Sequence, residues 1–217
     1  MSIRAGIRGA AAKIIGKDSE HISRFHSRRG ELCNMADVAA VTRIVWRRLV
    51  RTRAVSPWVA PAATKFLDLM LKPSDVLLEL GSGSSTVWYA RRVERVLSLE
   101  NDSDWAPCVA LQLAEQPNAE VRHCVLGESF AGALQELRPT ILIVDHTDSL
   151  MFSRNDAIRM ALQVPNCLRS IVLDDSDRLE YRPAFSLLED WSAHRFVGFR
   201  DNPLRLTETT VFVKKTE

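Results

Sequence analysis

The chain has 217 residues, 46% hydrophobic and 26% charged, the proportions of a globular protein and not of a disordered one. It holds no run of about 18 apolar residues, which excludes a spanning helix, and Lys13 interrupts the apolar stretch Ala10–Ile15 that a secretory leader would need. The net charge of +2 conceals an asymmetry: residues 1–55 carry +8 and the remainder −6. A basic front end suits nucleic acid, anionic lipid or an acidic substrate, and equally a solvated arginine-rich helix face. The cysteines Cys33, Cys108, Cys124 and Cys167 are scattered without a CxxC pair, so neither zinc spacing nor a disulfide framework is present, and a cytoplasmic setting is expected.

In residues 1–17, Ile3, Ile7, Ala10, Ala11, Ile14 and Ile15 recur at helical spacing beside four basic residues. That reads as a basic amphipathic helix suited to peripheral membrane contact, and a transit peptide shares the composition. Residues 36–50 predict a stronger helix, with Val38, Val41, Val45 and Leu49 as its stripe and Arg43, Arg47 and Arg48 turned away. Arg51–Val55 reads as a linker. Ser56-Pro57 then reads as an N-cap with proline at the first helical position, opening a helix to about Leu71. The boundary divides the chain into a basic helical segment, 1–55, and a second unit, 56–217.

From Lys72 the pattern alternates. Short apolar runs at Val76–Leu80, Arg95–Glu100, Glu120–Leu126, Thr140–Asp145 and Ser170–Asp174 are separated by helix-length segments at 84–92, 103–116, 128–137 and 152–164. Continuous Val/Ile/Leu strands between helices predict a parallel sheet covered on both faces. After a helix near 178–191, the runs His194–Arg200 and Thr207–Lys214 leave no room for a crossover helix and must pair antiparallel. The fold class is therefore α/β: a doubly wound, mostly parallel sheet closed by a C-terminal antiparallel hairpin, with an N-terminal helical segment.

Ligands of such sheets bind beyond the carboxyl ends of the strands. The first strand runs into Glu79-Leu80-Gly81-Ser82-Gly83-Ser84-Ser85-Thr86, where two glycines permit a tight turn and close approach of backbone N–H groups. The next strand ends in Glu100, placed to accept both hydroxyls of a ribose. Together these point to an adenosine cofactor. Thr86 stands where a dinucleotide fingerprint has its third glycine, and no GxxxxGK[ST] loop serves ATP. Glu79 would repel a pyrophosphate but attract an ammonium group, which S-adenosylmethionine carries.

On these residues, and on Ser98-Leu99-Glu100-Asn101, Ile143-Val144-Asp145 and Val172-Leu173-Asp174-Asp175, residues 57–214 resemble the class I S-adenosylmethionine-dependent methyltransferases, whose sheet also ends in an antiparallel hairpin. Ser85 departs from the third glycine many members have. The resemblance implies that Glu79, Gly81, Ser82, Gly83 and Ser85 hold the methionine part and Glu100 the ribose. It places Asn101 near the adenine, with Ser129 in Gly127-Glu128-Ser129 bordering that ring. Asp145, His146 and Asp174 are the candidate catalytic residues. His146 would act as a base with a near-neutral pKa, or Asp145 would orient the acceptor. Some metal-dependent O-methyltransferases of the family carry acids at these positions, so Asp145, Asp174 and Asp175 are the candidate ligands of a divalent cation. A metal-free site is preferred, because Asp175, Ser176 or Asp177 can simply cap the next helix and Arg154 or Arg178 can neutralise the acids.

The expected activity is methylation of an oxygen on a small molecule or glycan. Nucleic acid is disfavoured, because no Asn/Asp-Pro-Pro-Tyr/Phe motif follows the fourth strand. The alternatives are a nicotinamide-dependent oxidoreductase, which Thr86 and a missing Tyr-x-x-x-Lys pair oppose, and a non-catalytic binding protein on the same fold.

Overall fold

A computed structural model describes residue 23, residues 25–34, residues 37, 39, 41, 42, 44 and 46, and residues 55–164, 167–200 and 204–215. The predicted helix over 1–17 lies outside them. Of the predicted 36–50 helix, Asp37, Ala39, Val41, Thr42, Ile44 and Trp46 are described and helical.

The ordered alternation is α1 (Pro61–Met70), β1 (Val76–Leu80), α2 (Ser84–Ala90), β2 (Arg95–Glu100), α3 (Trp105–Gln112), β3 (Ala119–His123), α4 (Leu126–Leu137), β4 (Ile141–Val144), α5 (Arg154–Gln163) and β5 (Ser170–Asp174). A 3₁₀ turn (Leu179–Tyr181), α6 (Arg182–Leu187), β6 (Trp191–Arg200) and β7 (Arg205–Lys214) complete it. The sheet order is β3-β2-β1-β4-β5-β7-β6, with the first five strands parallel and β7 antiparallel to both β5 and β6. The predicted sheet and its terminal hairpin are both present. Among the described residues no helix is long and apolar enough to cross a membrane.

Side chains alternate across each strand, so one strand feeds two cores. Leu78 and Leu80 pack with Phe130, Leu134, Ile158 and Phe212 on the face covered by α4, α5 and α6. Leu77, Val96, Ile141 and Val172 pack with Leu67, Trp88 and Tyr89 on the opposite face. By the same alternation Glu79 must enter the second face, under α2. That parity decides its role.

Several boundaries shift for local reasons. The first helix opens at Pro61 and not at Pro57. The Ala60 N–H is bonded to Thr209 Oγ1 at 3.0 Å, which ties the preceding segment to β7. The 152–164 helix opens at Arg154 with a capping box, in which the Ser153 hydroxyl accepts from the Asp156 N–H while the Asp156 carboxylate accepts from the Ser153 N–H. The predicted 178–191 helix divides into the 3₁₀ turn and α6, with Pro183 in the first turn of α6.

Candidate functional site

The strand order reverses its direction of growth at β1, flanked by β2 and β4. At the carboxyl ends of these strands lies a cavity of about 770 Å³. One wall is made by Gly81–Ser85, Glu100–Ser103 and Trp105; the other by Asp145–Thr147, Arg154, Asp175, Arg178, Arg200 and Arg205, with Trp58 beside them.

The first wall is built from backbone and carboxylates. Gly81 has φ +88°, and a Cβ there would sit 2.9 Å from the Asp145 carbonyl oxygen, so glycine is required by both conformation and contact. At Gly83 the backbone is extended, and the nearest atom to an added Cβ is Ser85 Oγ at 3.9 Å. Packing places no demand for glycine there. Glu100, only 6% exposed, accepts four hydrogen bonds. Oε2 takes the Ser82 N–H and hydroxyl, both at 2.8 Å, while Oε1 takes the Asn101 N–H at 2.9 Å and the Asp102 N–H at 3.0 Å. All of its ordinary lone-pair sites are engaged. Trp105 fastens the same loop by donating its indole N–H to the Ser82 carbonyl at 2.8 Å.

Glu79 stands behind this wall and does not line the cavity. Its oxygens accept the hydroxyls of Ser85 and Thr86, each at 2.6 Å. Burial pushes its carboxyl up to about 7, against the lowering effect of those hydroxyls. It therefore buttresses the loop from beneath, and direct contact with a methionine group, as the resemblance implied, is not what the geometry offers. Ser129, on α4, is likewise outside the lining.

The second wall is electrostatic. Arg154, 5% exposed, donates to the His146 carbonyl at 2.8 Å, the Asp174 carbonyl at 2.7 Å and Asp145 Oδ1 at 3.1 Å, stapling the ends of β4 and β5. Asp175 has φ 50° and turns into the protein, where Thr207 donates its hydroxyl at 2.8 Å. Burial alone would raise its carboxyl, but Arg200, Arg28, Arg205 and Arg154 hold it well below the usual range. Asp174 is not in the lining; it accepts from Thr209 Oγ1 at 2.6 Å and from Arg200 at 3.2 Å. Burial, and then the charges of Asp145 and Asp175, push it well above the usual range.

The acids and the histidine of this wall differ from what the sequence predicts. Neither Asp175 nor Asp177 caps a helix, because Arg28 claims Asp177 with its backbone N–H at 2.8 Å and its guanidinium at 2.9 Å. His146, expected to titrate near neutrality, is 1% exposed and stacked on Phe152 at 5.3 Å. Neither ring nitrogen has a hydrogen-bond partner among the described residues. Burial, helped by Arg154, pushes its pKa down to about 3, so the ring is neutral and a poor proton acceptor at pH 7. A hard cation does not suit Asp145, Asp174 and Asp175 either. Their charge is already met by guanidinium and hydroxyl donors, and no cluster of three or more His, Cys, Asp or Glu among the described residues could hold a metal.

Sequence reasoning passed over Arg200, Arg205 and Arg28. Each lies far along the chain from the acids it meets, and only the pairing of β7 with both β5 and β6 brings Arg200 and Arg205 to the β5 end. Arg28 arrives from a tight turn between His26 and Leu32, in which Arg29 also donates to Ser176 O and Glu208.

No protein-family model matches the chain, and no curated protein matches its sequence. Solved structures do match its fold. An O-methyltransferase from Bacillus cereus, in complex with SAH, aligns over 96% of this chain and 97% of its own at 18% identity and a TM-score of 0.58. An rRNA methylase from Streptococcus thermophilus covers 71% and 95% at 12% identity and a TM-score of 0.52. A precorrin-6y C5,15-methyltransferase from Geobacter metallireducens covers 70% and 86% at 15% identity and a TM-score of 0.51. At these identities the likeness is one of fold, and the fold is that of the class I S-adenosylmethionine-dependent methyltransferases.

Proposed function

We propose that the protein is an S-adenosylmethionine-dependent methyltransferase acting on an oxygen of a small molecule or glycan. The observation that carries this reading is the first wall: a glycine loop crossing the switch point of the sheet, held down by a buried carboxylate at the end of the adjacent strand. It has no GxxxxGK[ST] loop, and Thr86 stands where a dinucleotide fingerprint has its third glycine. A ribose fits Glu100 if its hydroxyls replace the Ser82 hydroxyl on Oε2, leaving three backbone donors in place. The bottom of the loop, stiffened by Glu79 through Ser85 and Thr86, fixes the N–H groups that face the methionine part.

When bound, S-adenosylmethionine supplies a methyl group on a sulfonium. This chain's own residues have to hold the acceptor oxygen in line with that carbon and exclude water, and positioning alone accounts for much of the rate in such transfers. Asp145 is the group suited to orient the acceptor hydroxyl. It lines the cavity, and Arg154 binds one of its oxygens and fixes the carboxylate. His146 contributes shape and not proton transfer. Arg28 and Arg29 brace the β5 end from behind, through Asp177 and the Ser176 carbonyl.

Calorimetric titration with S-adenosylhomocysteine and, separately, with NAD tests the reading. Saturable binding of the first and none of the second is the expected result. The reverse would turn the site into that of an oxidoreductase.

A further inference from the structure

The segment 56–60, ahead of α1, joins the two walls of the cavity. At one end the Ser56 carbonyl accepts the Ser84 hydroxyl at 2.9 Å, which ties it to the first turn of α2. At the other the Ala60 N–H donates to Thr209 Oγ1 at 3.0 Å, on β7 opposite the end of β5. Between these tethers Pro57 and Val59 are buried, whereas Trp58 is 49% exposed and lines the cavity. A half-exposed indole on open surface is ordinary. One held into a cavity by anchored neighbours is placed to receive a ligand.

Ligand pockets are ordinarily lined mostly by apolar and aromatic side chains. Among the described residues, Trp58 and Trp105 are the only large apolar side chains of this lining, and Trp105 is committed to the loop wall through its N–H on the Ser82 carbonyl. The acceptor side therefore offers one apolar face, with the Asp145 carboxylate and the Thr147 hydroxyl among its polar groups. An aromatic ring or a nucleobase has two apolar faces and binds best between aromatic or apolar side chains. A sugar ring gathers C–H groups on a face and carries its hydroxyls around the edge. Those C–H hydrogens are partly positive and suit the negative face of an indole, while the hydroxyls need hydrogen-bond partners. One indole in a polar cavity is the complement of such a ring.

We infer that the methyl acceptor is a sugar ring whose C–H face stacks on Trp58, so that Trp58 selects the acceptor. This rests on the proposed methyl transfer, and it narrows the acceptor from any small hydroxyl compound to a carbohydrate. With one face on the indole, the hydroxyls stay free at the ring edge, and Asp145 takes the one to be methylated. The tethers at Ser56 and Ala60 hold the platform in place before the sugar arrives, so little ordering of the protein is left to oppose binding.

The test starts with titration of S-adenosylhomocysteine into the whole protein; failure there removes the methyl-transfer reading and leaves the sugar result to be judged separately. The protein, saturated with S-adenosylhomocysteine if it binds, is then titrated with methyl glycosides of glucose, galactose, mannose, rhamnose and N-acetylglucosamine, and with phenol and uridine. One-site binding of at least one glycoside is expected, tighter than that of phenol or uridine. Saturation-transfer NMR should place its strongest contact on the C–H protons of one ring face. Binding should weaken about tenfold or more in Trp58→Ala, recover in Trp58→Phe, and be unchanged in Trp46→Ala, whose indole is 66% exposed outside the cavity. The affinity of Trp58→Ala for S-adenosylhomocysteine should stay within about twofold of the parent's. If Trp58→Ala does not fold, Trp58→Leu, which keeps apolar bulk without a ring face, decides the outcome. The inference is overturned if no glycoside binds saturably, or if phenol or uridine binds in preference. It is equally overturned if folded Trp58 variants bind the glycoside as the parent does, or lose S-adenosylhomocysteine in equal measure.

Discussion

The two walls of the cavity are stabilised in opposite ways. The loop wall is local: Glu79 meets Ser85 and Thr86, and Glu100 meets Ser82, Asn101 and Asp102, across short stretches of chain and two neighbouring strands. The arginine wall is assembled from distant segments, with Arg28 reaching Asp177 across 149 positions and Arg205 reaching Asp175 across 30. One wall is a property of a β-turn-α unit. The other exists only once the terminal hairpin and the 25–34 turn have closed on β5. Loss of Glu100 on the first should therefore register in cofactor binding, and loss of the distant Arg28 contact under the second in stability.

The largest effect is expected from Arg28→Ala. Its guanidinium is 4% exposed, and removal strands Asp177 in the interior and takes one of several cations from Asp175, a loss of about 3–5 kcal/mol of unfolding free energy. Urea denaturation measures it; a loss near the roughly 1 kcal/mol typical of exposed pairs would mean that the arginine wall does not depend on distant contacts.

Next is a pair of opposing pH effects. Glu79, raised to about 7, favours the folded state most near and below pH 4.5, and that contribution, about 3 kcal/mol, is lost as pH rises through 7. His146, lowered to about 3, contributes stability that is present above pH 6.5 and lost as pH falls toward 3. In Glu79→Gln the first slope is lost, so the variant's stability relative to the parent's should rise as pH climbs from 4.5 through 7. A Glu79→Gln profile superimposable on the parent's would show that the loop buttress is not a buried acid.

Glu100→Ala should weaken S-adenosylhomocysteine about tenfold, the lower bound for the one charge-assisted hydrogen bond to a ribose that displacing the Ser82 hydroxyl opens. Calorimetry with an intact near-UV spectrum as control decides it; an affinity within about twofold of the parent would detach Glu100 from the ligand. The smallest effect is expected for His146→Phe. A buried ring stacked on Phe152, with neither nitrogen hydrogen-bonded among the described residues and Asp148 only at 3.8 Å from Nε2, can become apolar for less than about 1 kcal/mol. Retained methyl transfer in that variant would agree with a neutral packing role; its abolition in a folded protein would restore His146 as a chemical participant.

The same division governs what can be read from the sequence. The strands from β1 to β5, the hairpin and the glycine loop are legible because apolar runs and Gly81 carry their signal within a few residues. Glu100 is legible because one strand spacing places it. His146 is misread because its burial comes from Phe152 and Arg154, on the loop and helix that follow, and no local pattern encodes a desolvated imidazole. Glu79 reads as a ligand contact from its neighbours, although strand parity already sends it beneath α2; that signal is present in the sequence. Arg28, Arg200 and Arg205 have none, since only pairing across the sheet turns arginines scattered over the chain into one surface.

The turn carrying Arg28 and Arg29 also bears on the protein's synthesis. Its partners Asp177 and Glu208 are translated 149 and 179 residues later. At ribosomal rates of about 5–20 residues per second, Arg28 waits roughly 7–30 s for Asp177 to be made. The Gly81 loop, by contrast, can meet Glu100 within a few seconds of its own synthesis. The Arg28 turn thus docks after the Gly81 loop, and through that interval its acidic counterparts do not yet exist.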